Sequence, residues 1–222
     1  MKKKGTKTSI EKALDLIEAL KENDNLGVTE LSNILGLNKN NVFRLLATLE
    51  VKGLIEQDQE TGHYRLGMKF LHLEHSYIKH LSFLKKARGT LRELRNEIGE
   101  TVYISILHEN SVIYLYAEES KKPVIVTSRI AKRYKAEDTA AGRTLIRSKK
   151  EKGFVVDYDM EKSEPEVSEL ATVIRDETGS PVAAISIVAP SYRLNQTQLE
   201  FYKVKLVKAA KKITEKLSAT EA

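Results

Sequence analysis

The stretch from Val28 to Leu46 constrains the fold most. Ser32 is small, Gly36 follows four residues later, and Val42 comes six after that. Leu31, Leu35, Leu37, Leu45 and Leu46 supply apolar side chains around them. Two helices that cross closely need a small residue at the crossing and a tight turn. Glycine suits that turn because positive φ carries no Cβ penalty. The pattern fits a helix-turn-helix, and it also fits any helical hairpin, so the flanking chain has to decide between them.

Upstream, Thr8-Ser9-Ile10-Glu11 reads as a capping box. Ile10, Ala13, Leu14, Ile17 and Leu20 then recur at helical spacing, and the helix ends before Asn23-Asp24-Asn25. A second helix is expected from about Thr29 to Leu35, and a third from the N-cap Asn38 to about Lys52, stopped by Gly53. Two short strands, 54–57 and 63–66, flank the polar loop Asp58-Gln59-Glu60-Thr61-Gly62. Three helices and a hairpin within 67 residues give the order of a winged helix-turn-helix.

From Met68 to about His80 the period is helical again, with Phe70, Leu73, Tyr77 and Leu81 as a stripe, and it reads as a linker helix. A helix at about 84–98 follows, closed by Gly99. Strands are expected at 102–107, 112–117 and 124–126, then a helix at 140–148, a polar segment through Pro165, strands at 171–174 and 182–188, and a last amphipathic helix at about 195–217. Strand pairs bracketed by helices imply an α+β class. The expected division is 1–67 for the winged helix-turn-helix, 68–82 for the linker helix and 83–222 for the second domain.

The net charge of +6 is not concentrated in the first domain. Residues 1–80 hold 12 basic and 11 acidic side chains, the other 142 hold 25 and 20. Contact with nucleic acid must therefore come from placed residues and the Lys2–Lys7 arm rather than from a global field. No apolar run reaches the roughly 18 residues of a membrane span, and nothing resembling a secretory signal follows Met1. A cytoplasmic protein without membrane contact is expected. With no cysteine there is no disulfide, thiolate metal site or thiol nucleophile.

A third helix that enters the major groove N-terminus first would present Lys39, Asn40, Asn41, Phe43 and Arg44. Asn can pair with adenine, Arg and Lys with guanine or phosphate, and Phe43 can meet a thymine methyl. Asn is common at helix starts as a cap, but Asn38 alone fills that role. His63 and Arg65 in the wing are candidates for backbone or minor-groove contact. Double-stranded DNA is thus the expected partner.

Several segments resemble the IclR family of transcriptional regulators. Ser9-Ile10-Glu11-Lys12-Ala13-Leu14-Asp15-Leu16 is similar to the family's opening, and Leu31 to Gly67 to its winged-helix core. Gly99 to Leu107, Val112 to Leu115, Thr139 to Leu145, Ser180 to Pro190 and the final helix follow the family's order. The resemblance implies a C-terminal GAF-like antiparallel-sheet domain flanked by helices, homodimers often paired into tetramers, and small organic or aromatic acids as effectors. It places an effector near Thr139, Ala140, Ala141 and Gly142, with Asp157, Glu169 and Ser186 as further lining residues. Thr139, Ser186 and the N–H groups of Ala140, Ala141 and Gly142 are the expected donors to a ligand carboxylate.

This chain departs from the family in informative ways. Only Ile146 to Lys152 separates the Thr139–Leu145 segment from Gly153, which implies a shortened effector domain. Glu137 stands where the family often has histidine, Glu169 where it often has cysteine, Val173 near a usual proline, and Val188 in place of a second serine. Glu137 and Glu169 are expected to repel an anion. They would then select a neutral or cationic ligand, or fill the pocket outright.

There is no glycine-rich phosphate loop, nucleophile elbow or His-rich metal spacing. His72 and His75 with Glu74 sit on the linker helix, where solvated side chains are the commoner state. No cofactor, metal or catalytic residue is expected. Three functions remain in order of preference: an effector-responsive, sequence-specific DNA-binding transcriptional regulator; a ligand-independent DNA-binding regulator with a vestigial sensing domain; and an enzyme acting on a small acid.

Overall fold

Local capping sets the start of the chain. Thr8 caps α1 (Ser9–Glu22): its hydroxyl accepts the Glu11 N–H, and the Glu11 carboxylate accepts the Thr8 N–H at 2.6 Å. Gly27 precedes α2 (Val28–Leu35), and Gly36 ends it at φ +62°. Ser32 does more than make room at the crossing. Its backbone carbonyl accepts the Gly36 and Leu37 N–H groups, and its hydroxyl donates to the Leu37 carbonyl at 2.5 Å. Asn38 then caps α3 (Lys39–Val51) through the Asn41 N–H.

A hairpin of β1 (Ile55–Gln57) and β2 (Tyr64–Leu66) follows, and Leu26 exchanges two backbone hydrogen bonds with Tyr64. Leu16, Leu20, Leu31, Val42, Leu46, Ile55 and Tyr64 form the buried core. The side chain of Asp58 knots the hairpin loop by accepting from the Glu60 and Thr61 N–H groups and the Thr61 hydroxyl, and these bonds hold its carboxyl below the usual aspartate range. α4 (Lys69–Lys79) begins where the Met68 N–H reaches Glu56 and Lys69 reaches the Lys52 carbonyl. The computed structural model describes residues 7–219, so all of the basic arm but Lys7 lies outside the described residues. The chain divides into two units at His80 and Leu81.

The second unit starts with α5 (Ser82–Ile98), closed by Gly99 at φ +73°. Six antiparallel strands follow: β3 (Thr101–His108), β4 (Ser111–Glu118), β5 (Arg133–Lys135), β6 (Val156–Met160), β7 (Val167–Arg175) and β8 (Pro181–Pro190), in the order β5-β4-β3-β8-β7-β6. α6 (Ala140–Ser148) packs on one face, where Ala140, Ala141 and Leu145 meet Tyr103, Tyr114, Ala171, Ala184 and Val188. α5 and α7 (Leu199–Ser218) pack against each other and against the sheet. Helices on both faces explain why β7 and β8 are almost continuously buried. The α+β class read from the sequence matches.

Two expectations need correction. Val124–Val126 is not a strand; Val124 and Ile125 are exposed, and Arg133–Lys135 takes the edge beside β4 instead. The segment expected to be merely polar contains β6, whose Asp157 and Asp159 share one face by the two-residue strand period.

Gly142 fixes how closely α6 approaches the preceding segment. A Cβ there would lie 2.1 Å from the Ala136 carbonyl oxygen. Gly142→Ala is therefore expected to destabilise the second unit by about 1–3 kcal/mol, the usual cost of overpacking. The urea midpoint measures this, and an unchanged midpoint would mean that the Ala136 segment yields freely.

Candidate nucleic-acid interface and sensing site

The first turns of α3 present Lys39, Asn40, Asn41, Phe43 and Arg44, all exposed. Phe43 is 59% exposed, one of several large apolar side chains that the described residues leave on the surface. Val42 and Leu46 point the other way, into the core, at the spacing that makes α3 two-faced. Asn41 and Arg44 wall a hollow of about 220 Å³ together with Ser9 and Lys12 of α1. Sequence reasoning missed Ser9 and Lys12 as members of this group; their place in the first turn of a capped helix was the available signal. In the hairpin, Arg65 is exposed and lies 3.5 Å from Glu56. His63 is half-buried, and its ring packs over Gly27 at the start of α2.

In the second unit Thr139, Ala140, Ala141 and Gly142 form the start of α6, and Glu169 and Ser186 stand on the sheet strands β7 and β8; all are buried. Thr139 is the N-cap, its hydroxyl accepting the Gly142 N–H at 3.0 Å. Glu169 projects from β7 to the same helix end. One carboxylate oxygen accepts the Ala140 N–H at 3.1 Å and the Ala141 N–H at 3.5 Å, and the other accepts the Tyr114 hydroxyl at 2.9 Å.

Arg129 completes this centre. Its guanidinium lies 3.5 Å from Glu169, donates to the Tyr114 hydroxyl at 3.1 Å, and reaches Ser163 and Glu164. Arg129 and Glu169 both have fully buried side chains. Burial and the neighbouring Glu169 push the Tyr114 phenol well above its ordinary range, so it stays a donor.

Asp159 stands directly opposite Glu169 in the β6–β7 register, also fully buried. Like charges in that relation repel, so each needs its own cation or donors. Asp159 accepts from the Ser163 N–H and hydroxyl and lies 3.7 Å from Arg143. Asp157 is paired with Arg143 at 2.7 Å and Arg147 at 3.3 Å. Ser186 is buried and its hydroxyl has no partner.

These positions revise the expected pocket. Glu169 is not a bare repelling charge, because Arg129 and three hydrogen-bond donors meet it. Glu137, expected to act with it, is exposed, and it is the Glu137 backbone carbonyl that accepts from Arg143. The N–H groups of Ala140 and Ala141, expected to meet a ligand, are already taken by Glu169. Arg129 and Tyr114 were not foreseen, since a buried ion pair between distant segments leaves no local pattern.

Residues 9–59 match the model of the IclR helix-turn-helix domain, and residues 75–155 and 149–215 match that of the bacterial transcriptional regulator IclR C-terminal domain. The chain belongs to the IclR family. The two C-terminal segments overlap over residues 149–155.

Among curated IclR-family relatives, the regulator XynR of Escherichia coli K12 is 36% identical over 139 residues, which is 62% of this chain and 55% of that one. KdgR of the same organism is 26% identical over 240 residues, 93% of this chain and 91% of that regulator. The solved IclR of Thermotoga maritima superposes with a TM-score of 0.75 at 19% identity, covering 95% of this chain and 99% of that one. An IclR homolog from Microbacterium hydrocarbonoxydans, complexed with 4-hydroxybenzoate, gives 0.78 at 18%, covering 96% and 100%. The two structures establish likeness of fold. As an IclR-family member, this chain is a DNA-binding transcriptional regulator.

Removing one partner of a buried ion pair leaves the other charge uncompensated, at roughly 3–5 kcal/mol. Arg129→Met is expected to destabilise the second unit by that amount, and adding Glu169→Gln should return part of the loss. Denaturant unfolding of the single and double variants measures both. A single-variant loss below about 1 kcal/mol would mean that water or Tyr114 alone meets the charge of Glu169.

Proposed function

We propose that α3 enters the DNA major groove and that the exposed residues of its first turns read the operator. The observation that carries this is the division of α3 into a core face, Val42, Leu46 and Leu49, and an outward face of Lys39, Asn40, Asn41, Phe43 and Arg44. Asn40 and Asn41 offer paired donors and acceptors for adenine, Arg44 and Lys39 suit guanine or phosphate, and Phe43 suits a thymine methyl. Ser9 and Lys12 flank Arg44 and are suited to a phosphate. Arg65 of the hairpin extends the contact, and His63, packed over Gly27, assists chiefly by shaping it.

The protein works as a homodimer, or a tetramer of paired dimers, on a two-fold operator. α4 supports this: it has no buried residue over its 11 positions, and Leu71, Leu73 and Tyr77 are exposed. Its task is regulatory rather than catalytic, in the cytoplasm that holds the chromosome. The second unit, which matches the IclR C-terminal model, is the sensing part, and the surroundings of Thr139–Gly142, Asp157, Glu169 and Ser186 are its regulatory centre.

Asn41→Ala or Arg44→Ala is expected to cost about 1–3 kcal/mol on the operator. Asn41→Ala should leave binding to random DNA nearly unchanged. Titration of both DNAs at one salt concentration reads this, and equal losses on the two would remove Asn41 from the base-reading set. In light scattering at micromolar concentration, a dimer or tetramer is expected; a monomer with and without DNA contradicts the assembly.

A further inference from the structure

We propose that Glu169 is a built-in ligand: its carboxylate occupies an anion-binding site at the start of α6, so the sensing unit carries its own anion and does not take up a free short carboxylate. This rests on reading the second unit as the sensing part.

Donor accounting at the helix end carries the inference. The first four N–H groups of a helix have no partner within it, and together with the helix dipole they attract anions. In α6 the three N–H groups that follow the N-cap are all engaged. The Ala140 and Ala141 N–H groups go to one oxygen of Glu169 and the Gly142 N–H goes to the Thr139 hydroxyl, while the Arg143 N–H begins the regular helical ladder on the Thr139 carbonyl. The Tyr114 hydroxyl and the Arg129 guanidinium, which would otherwise meet a visiting carboxylate, also face Glu169. An entering acid would have to displace a tethered carboxylate whose loss of freedom is already part of folding. It would also meet Asp159, which lies directly opposite Glu169. Glu169 and Arg129 are completely shielded from solvent.

The atoms that Glu169→Ala removes are a methylene and a carboxylate, the skeleton of acetate. Truncation should therefore open a site for short monocarboxylates that the natural chain lacks. Thermal melting and circular dichroism of the full-length protein and of Glu169→Ala, in 100 mM sodium acetate and in 100 mM sodium chloride, test this.

Glu169→Ala is expected to melt lower than the natural protein in chloride and to regain about 2–4 °C in acetate. The natural protein should melt identically in both salts and in pyruvate. If Glu169→Ala does not fold in chloride, recovery of its circular dichroism in acetate supports the proposal; Glu169→Gly, with a larger opening, is the second variant. Variants that behave alike in acetate and chloride, folded or not, overturn it, as does a melting shift of the natural protein in acetate or pyruvate. Operator binding by the natural protein is scored separately: its loss would sink the regulator function while leaving the acetate result to stand.

Discussion

The Arg129–Glu169 pair is the interaction on which the second unit most depends. Two fully buried charges lie 3.5 Å apart beneath α6. Desolvating such a pair costs several kcal/mol per ion, and the mutual attraction offsets this only when further hydrogen bonds complete the site. Here they do. Glu169 ties β7 to the start of α6, Tyr114 brings in β4, and Arg129 extends to Ser163 and Glu164 beyond β6. One carboxylate thereby joins a helix end, two strands and two loops. Asp159, its opposite neighbour, is managed by Ser163 and Arg143, so two acidic side chains can share one strand row.

The first unit is held by a different kind of constraint. Its specificity comes from turns rather than buried charge. Gly36 and the Ser32 hydroxyl fix the angle between α2 and α3, and Leu31, Val42 and Leu46 fill the space this angle creates. With the angle set by packing, the opposite face of α3 is free to carry polar side chains that do nothing for stability.

Much of this was legible in the sequence because it is local. Thr8 with Glu11, Gly36, Asn38 and Gly99 signal helix ends within four residues, and each stands where the structure starts or ends a helix. Strand assignment at 124–126 failed because three β-branched residues satisfy strand propensity, whereas the turn from Arg129 to Lys132 decides which residues reach the edge of β4. β6 was missed although Asp157 and Asp159 alternate with Val156, Tyr158 and Met160; acids on a strand facing a helix look like loop until their arginines are known. Glu169 was singled out by its place in the family's order, but its partner was invisible, since 40 residues separate Arg129 from it and no periodicity links them.

Amide hydrogen exchange at Ala140 and Ala141 reports on whether Glu169 closes the start of α6. If Glu169 holds both N–H groups in a closed site, they exchange only through opening of the second unit, as slowly as the strand amides of Ala184 and Ile185. Added pyruvate or acetate leaves their rates unchanged. Rapid exchange at Ala140 and Ala141 in the natural protein, or protection that arises only when a free acid is added, would contradict the account.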